Sequence, residues 1–192
     1  MKMFVLIREL VFFDSKIRKL FQNPNKILSP YINKGMNVLD LGCGPGFFTL
    51  EMANLVGESG KVVAADLQEE MLIKVENKTK NNHLKEIIKL HKTQKDSIGL
   101  SEKFDFILIF YMLHEVPNKR KFLGELKNLL KNEGKILIIE PKGHVSKENF
   151  EKSVRLIKEK GFKTSKGPKV FYSYSIALEK NYKLETLNKK FF

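Results

Sequence analysis

Residues 37–46, Asn-Val-Leu-Asp-Leu-Gly-Cys-Gly-Pro-Gly, are the stretch best suited to bind a ligand close to the backbone. The first five residues are mostly apolar, as expected of a buried parallel strand, and Asp40 stands near the end of that run. Glycines follow at every second position: Gly42, Gly44 and Gly46. Without Cβ atoms they allow a tight turn and a close approach to bare backbone. Since residues 47–53 predict a helix, the loop N–H groups and the helix N-terminus suit a polar or anionic ligand.

The glycine spacing separates two kinds of ligand. A dinucleotide-binding fold needs G-x-G-x-x-G, but Phe47 occupies the third glycine position and Gly46 falls one residue early. The pattern D-x-G-x-G-x-G instead resembles motif I of class I S-adenosylmethionine (SAM) methyltransferases, and the resemblance covers residues 14–180. It implies SAM as cofactor and S-adenosyl-L-homocysteine as product. The three glycines would line the methionine end, Asp40 would orient its amino group, and Cys43 would be a small packing residue inside the cofactor loop.

A second acidic residue ends the next predicted strand. Asp66 follows residues 61–65 and lies 20 residues after Gly46, where a doubly wound fold places the acid that binds a ribose. A carboxylate can accept two hydrogen bonds, which matches the 2′ and 3′ hydroxyls of adenosine. The other interpretation, an N-cap for the helix that begins near Gln68, is compatible with the first. Leu67 is then expected to pack on the adenine.

The adenine amino group needs a further acceptor, which in this family is usually an Asp in the loop after the third strand. Gln94 holds that position here, and Asp96 follows two residues later. The resemblance therefore implies a contact from one of these two residues, because a Gln carbonyl can also accept a hydrogen bond.

The residues after the fourth predicted strand, 104–110, are the candidates for the transfer chemistry. The sequence Tyr111-Met112-Leu113-His114 resembles the same region in methyltransferases that act on quinones, arsenite and other small molecules. It places Tyr111 and Met112 beside the sulfonium, with Tyr111 a catalytic candidate. His114 is the candidate general base, because an imidazole of ordinary pKa near 6.5 accepts a proton at about neutral pH. The alternative is a structural histidine that pairs with Glu115 or with the backbone.

Methyl transfer from a sulfonium is an in-line displacement that requires alignment and, where needed, removal of a proton. Residues 111–113 lack both the Pro-Pro-aromatic motif of amino-methylating nucleic acid enzymes and the Asp of ribose 2′-O enzymes. The single cysteine excludes arsenite chemistry, and no carboxylate-rich metal site is evident. We therefore expect metal-independent transfer to O, N or C of a small molecule. An RNA or protein methyltransferase and a non-catalytic SAM-binding protein are the alternatives.

Composition limits the partners and the location. The net charge is +13, from 35 Lys plus Arg against 22 Asp plus Glu, and such an excess can attract nucleic acid or anionic lipid. The lysines are scattered, so a solvated surface is favoured over a nucleic acid site. The sequence contains no run of 18 apolar residues, so no membrane span is expected. Residues 3–7 are too short for a signal sequence, and one cysteine gives no sign of secretion, so a cytoplasmic enzyme is expected.

These residues need a framework of strands and helices to position them. Strands are predicted at 36–41, 61–65, 86–91, 104–110 and 135–140, with helices at 47–56, 68–80, 118–131 and 146–160. A hairpin of 162–164 and 170–180 follows. This order predicts an α/β fold: a Rossmann-like, doubly wound, seven-stranded sheet with a C-terminal antiparallel hairpin and helices on both faces.

The chain is divided by this prediction into N-terminal helices at 1–35, a methyltransferase domain at 36–182 and a partly loose tail at 183–192. Residues 1–13 are apolar, and a short helix follows at 15–21 with Asp14 as its cap. Asn23 and Pro24 predict the start of another helix that runs to about Ile32. The resemblance implies that these helices cap the substrate side.

Overall fold

The structure of the protein, a computed structural model, describes residues 16–181. The predicted segment 1–13, the Asp14 cap and the tail 183–192 lie outside the described residues, so the division into domains stays a prediction. In the described part of the chain, no helix has the length and apolar character needed to cross a membrane.

A single seven-stranded sheet organises the described residues, in the strand order β3-β2-β1-β4-β5-β7-β6. The strands are β1 (Asn37–Leu41), β2 (Lys61–Asp66), β3 (Ile88–Lys92), β4 (Phe104–Phe110), β5 (Leu130–Pro141), β6 (Phe162–Lys166) and β7 (Ser173–Lys180). Strands β1 to β5 are parallel, and β7 pairs antiparallel with both β5 and β6. The predicted doubly wound sheet and its closing hairpin are confirmed. The strand order reverses between β1 and β4, which is where such sheets open a ligand crevice at their carboxyl edge.

Helices cover both faces of this sheet. They are α1 (Lys16–Phe21), α2 (Pro24–Leu28), α3 (Thr49–Val56), α4 (Glu69–Thr79), α5 (Leu84–Ile87), α6 (Lys119–Leu129) and α7 (Lys147–Glu159). Successive strand residues point to opposite faces, so Val38 packs in one apolar cluster with α2 to α5, and Leu39 in another with α6 and α7. Because both faces of the central strands are buried, β2 and β4 are nearly continuous apolar runs, whereas the edge strands β3 and β6 carry exposed lysines.

Several element boundaries differ from the prediction. Asn23 caps α2 by accepting from the Lys26 N–H at 3.1 Å, as expected, but the helix ends at Leu28 instead of near Ile32. Pro30 accounts for this early end, because it has no N–H to donate to the Lys26 carbonyl and so interrupts the helical hydrogen-bond pattern. The short helix α5 was not predicted, and it delays the start of the third strand from residue 86 to Ile88.

Candidate active site

The glycine loop after β1 is fixed to the end of β2. The N–H groups of Gly42 and Cys43 both donate to the Ala65 carbonyl, at 2.8 and 3.0 Å. A Cβ on Gly42 would lie 2.9 Å from Met112 Cγ, and one on Gly46 would lie 3.0 Å from Val75 Cγ2. These two glycines are therefore required for close packing, and Met112 lies against the loop; its predicted place beside the sulfonium stays a prediction.

Gly44 differs from its two neighbours in the loop. Its φ of 52° is in the left-handed region, yet a Cβ placed on it would meet no heavy atom of the described chain within 4 Å. The bare backbone of Gly44 therefore faces open space, where a ligand can approach it closely.

Asp66 connects the ends of β1 and β2 through its carboxylate. Its Oδ2 accepts from the Gly44 N–H at 2.8 Å, and its Oδ1 accepts from the Gln68 N–H at 2.9 Å. The N-cap residue of α4 is Gln68, so the prediction that Asp66 itself would be that cap is wrong. Each carboxylate oxygen has a second lone pair, so the half-buried group can still accept from a ligand hydroxyl.

Asp40 is buried beneath the loop, with 2% of its surface exposed. Its Oδ2 accepts from the Thr49 hydroxyl at 2.6 Å, which connects β1 to the first residue of α3. Burial raises the pKa of Asp40 to about 7. The Thr49 hydrogen bond and the cation of Arg18 lower this pKa, whereas the negative charge of Asp66 raises it further. Asp40 can therefore gain or lose a proton near neutral pH.

Helix α1 brings a buried cation to the same edge of the sheet. Arg18 is 5% exposed, and its guanidinium carbon lies 3.9 Å from the centroid of the Phe47 ring, a cation–π geometry. Its Nε donates to Gln22 Oε1 at 3.0 Å. Neither residue was predicted to belong to the site, because an Arg and a Gln four positions apart look like any polar face of a short helix.

Tyr111 joins three distant parts of the chain. Its N–H donates to the Ile139 carbonyl at 2.8 Å, its hydroxyl accepts from Gln22 Nε2 at 2.9 Å, and the same hydroxyl lies 2.6 Å from Ser173 Oγ. Its φ of 60° is unusual for a bulky residue and turns the chain sharply after β4. Burial raises the pKa of the Tyr111 phenol, so it stays protonated at neutral pH and is suited to positioning a ligand.

His114 lies on a short 3-10 helix, Leu113–Glu115, that follows β4. Its Nδ1 is 3.0 Å from Glu140 Oε2, whereas its Nε2 is 3.9 Å from Glu115 Oε1. The hydrogen bond to Glu140 raises the pKa of His114, although partial burial lowers it. The main partner of His114 is therefore Glu140 and not Glu115, which the structural alternative had predicted. Glu140 was not predicted as a partner because it lies at the end of a different strand, β5.

The remaining predicted ligands lie outside this cluster of contacts. Leu67 is 51% exposed, and Gln94 and Asp96 are exposed in the loop after β3. The N–H of Gln94 donates to the Ser97 carbonyl, and the carbonyl of Asp96 accepts from Lys121 Nζ at 2.7 Å. Their predicted contacts with adenine therefore stay predictions.

Cys43 is buried inside the loop, with 7% of its surface exposed. Burial, reinforced by the negative charges of Asp40 and Asp66, raises the pKa of the Cys43 thiol far above its ordinary value. A protonated buried thiol packs like a small apolar side chain. Among residues 16–181, no group of three or more His, Cys, Asp or Glu side chains is arranged to hold a metal ion.

Comparisons with known proteins agree on one family. The model of a methyltransferase-domain family matches residues 32–187. A demethylmenaquinone methyltransferase of Bacillus cereus (strain B4264) is 32% identical over 109 residues, which is 57% of this chain and 46% of that protein. The chain thus spans about half the length of the curated relatives it matches.

Solved structures give the same result for the fold. A SAM-dependent methyltransferase from Aquifex aeolicus is 29% identical, with a TM-score of 0.75 over 89% of this chain and 95% of the other. A putative rRNA-methylase from Clostridium thermocellum is 22% identical, with a TM-score of 0.65 over 85% of this chain and 96% of the other. At that lower identity the likeness shows the fold alone.

Proposed function

This chain belongs to the class I SAM-dependent methyltransferases, and from that premise we propose that it methylates O, N or C of a small organic molecule without a metal ion. SAM is the cofactor of this family, and when bound its sulfonium supplies an activated methyl group. We also propose that the reaction takes place in the cytoplasm, as the single cysteine led us to expect.

The contact between Gly44 and Asp66 is the main observation in support of the proposed cofactor site. The open face of Gly44 would admit the methionine end of the cofactor, and the second lone pairs of the Asp66 carboxylate match the two ribose hydroxyls. Buried Asp40 and the Arg18 cation lie next to this loop, and they complement the amino and carboxylate groups of the methionine part. The residues present therefore fit the group that the family uses.

The methyl acceptor would bind at the end of β4, beside Tyr111 and His114. Helix α1 reaches over this edge of the sheet, since Arg18 stacks on Phe47 while Gln22 bonds the Tyr111 hydroxyl. Cover by this helix on the acceptor side favours a small molecule over a folded RNA or protein. The name demethylmenaquinone methyltransferase, borne by relatives of which the match covers about half, also denotes a small acceptor and supports the proposal.

His114 would serve as the general base at this site. Its Nδ1 is engaged by Glu140, so Nε2 is the ring nitrogen left to take a proton from the acceptor. Tyr111, held protonated by burial, would orient the acceptor and would not remove its proton. Alignment by α1 and β7 would supply the rest of the rate enhancement.

An RNA acceptor is the second candidate, and the net charge of +13 is the observation that favours it. Transfer of tritium from labelled SAM into separate metabolite, RNA and protein pools distinguishes the candidates, with excess EDTA present in one arm. We expect acid-soluble, low-mass label that is insensitive to EDTA. Label in RNA or protein would overturn the small-molecule assignment, and SAM binding without any label would indicate a non-catalytic protein.

A further inference from the structure

A buried carboxylate lies at the carboxyl end of β5 with only one of its two oxygens paired. Glu140 is 2% exposed, and its Oε2 lies 3.0 Å from Nδ1 of His114. Its Oε1 is buried and has no hydrogen-bond partner within the described part of the chain. A buried charged group costs free energy unless it is paired, so this carboxylate depends strongly on His114.

The register of the sheet brings these two residues together. Strands β4 and β5 run parallel with Phe110 opposite Ile139, so the chain leaves β4 beside the end of β5. The N–H of Tyr111 bonds the Ile139 carbonyl, and the following 3-10 helix turns His114 onto Glu140. Because two neighbouring strands hold the pair, its geometry is fixed by the core.

An ionised carboxylate can only accept hydrogen bonds, so a carboxylate facing Nδ1 selects the tautomer with the proton on Nδ1. The lone pair of the neutral ring is then on Nε2. That nitrogen lies on the other side of the ring, 3.9 Å from the exposed Glu115 carboxylate. The ring therefore presents a proton acceptor away from the core.

The charges around His114 favour its protonated form. Glu140 on β5 acts most strongly, through the hydrogen bond and its charge, and Glu115 on the same 3-10 helix adds to it. The Lys119 cation at the start of α6 opposes them, as does partial burial of the ring. The His144 ring, which follows β5, meets the His114 ring edge-on with centroids 5.8 Å apart. The balance of these groups raises the pKa of His114.

We propose that Glu140 is the positioning residue for His114: it fixes the Nδ1–H tautomer and stabilises the imidazolium that forms when Nε2 takes the acceptor's proton. This inference rests on the proposed function, in which His114 is the base. The acceptor atom loses its proton to Nε2, and its electron pair forms the new bond to the methyl carbon. The carbon–sulfur bond breaks with its electron pair passing to sulfur, which becomes a neutral thioether. The imidazolium then returns its proton to water.

Nuclear magnetic resonance of the imidazole nitrogens tests this without a known acceptor. The spectra of the full chain with S-adenosyl-L-homocysteine would be recorded against pH, and His114→Gln would assign the His114 signals among those of the four histidines. The parent should show Nδ1–H in the neutral form and a pKa above the ordinary value. Glu140→Gln should lower this pKa by about one unit or more, a tenfold loss of proton affinity. The matched control Glu115→Gln should shift it much less, because that carboxylate is exposed and screened.

Two results would overturn the inference. The first is a neutral His114 ring in the parent that carries its proton on Nε2, a result that can be obtained without any variant. The other is a His114 pKa that stays the same in folded Glu140→Gln; if that variant does not fold, Glu140→Asp, whose carboxylate is one methylene shorter, takes its place. Failure of the parent to bind S-adenosyl-L-homocysteine would count against the proposed function instead. Once an acceptor is known, Glu140→Gln should lower kcat and move the pH–rate midpoint downward, leaving KM near that of the parent.

Discussion

The carboxylate of Asp66 accepts a hydrogen bond from the backbone N–H of Gly44 at 2.8 Å, across the carboxyl ends of two neighbouring strands. This contact holds the glycine loop of β1 against the acid that ends β2. It brings into one place the two sequence features that best indicated a cofactor. Because Gly44 also faces open space, the contact marks the edge of the proposed cofactor site.

Asp66→Ala should weaken binding of S-adenosyl-L-homocysteine by roughly 10- to 100-fold. The change removes the acceptor for the ribose hydroxyls and frees the Gly44 N–H, and a hydrogen bond to a charged group contributes about 1.5–3 kcal/mol. Calorimetric titration gives the affinity. Glu58→Ala is the control, since Glu58 is exposed in the turn before β2, at the opposite edge of the sheet. Equal affinity for Asp66→Ala and the parent would remove Asp66 from the site.

Gly44→Ala should fold and yet bind the cofactor poorly. A left-handed φ costs an alanine about 1–2 kcal/mol, which should lower Tm by several degrees, and its methyl group would enter the open space over the loop. Gly57→Ala is the control, because Gly57 also has a positive φ and open space around it but follows α3, away from the loop. With a ψ of −172° Gly57 lies in a region nearly restricted to glycine, so this variant should lose at least as much Tm. It should lose Tm and keep its affinity; an equal loss of affinity in both variants would contradict the assignment.

The free energy of unfolding of Asp40→Asn should increase relative to that of the parent as the pH rises. The pKa of Asp40 is raised from 3.8 to about 7 by burial, so between these values the folded state holds a proton that the unfolded state has lost. This group therefore lowers the free energy of unfolding as pH increases, by as much as about 4 kcal/mol above pH 7. Asn keeps the Thr49 hydrogen bond without the charge. Urea unfolding at about pH 5 and pH 8 measures the change, and a pH-independent difference between variant and parent would show that burial does not act on Asp40 in this way.

Cys43→Ala and Cys43→Ser should retain most cofactor binding and methyl transfer. The thiol is buried, and its raised pKa keeps the nucleophilic thiolate scarce. Iodoacetamide should accordingly modify the native protein slowly and the urea-unfolded protein quickly. A folded Cys43→Ala that binds the cofactor but loses all transfer would require a covalent mechanism.

His114→Ala should lower turnover by about 10²–10⁴-fold while the affinity for S-adenosyl-L-homocysteine is unchanged. The rate of the parent should rise with pH as His114 loses its proton. The midpoint should lie above the ordinary value of about 6.5, because the hydrogen bond to Glu140 raises the pKa of His114. Turnover assays across pH provide both measurements. A loss smaller than about fivefold would make His114 a structural residue.

Local sequence patterns predicted the fold and the family. The apolar run 104–110 is β4 to the residue, and the glycine spacing predicted both the loop and the cofactor of the family. These features depend on neighbouring residues, through strand periodicity, the lack of Cβ atoms and helix capping. The end of α2 was misplaced because the effect of Pro30 was overlooked, and α5 was missed because its four residues are held by the burial of Leu84 and Ile87 in the core.

The partners of the side chains in the site were decided by the tertiary structure alone. Glu140 is 26 residues from His114 and was predicted only as the end of a strand, while Gln22 is 89 residues from the Tyr111 hydroxyl that it bonds. Such pairs depend on which strands are neighbours and on their register, and no local pattern encodes either. The sequence by itself therefore determined the family and the cofactor that the family implies, because that loop is contiguous. Which side chains face the acceptor follows only from the folded sheet, because they come from the ends of separate strands.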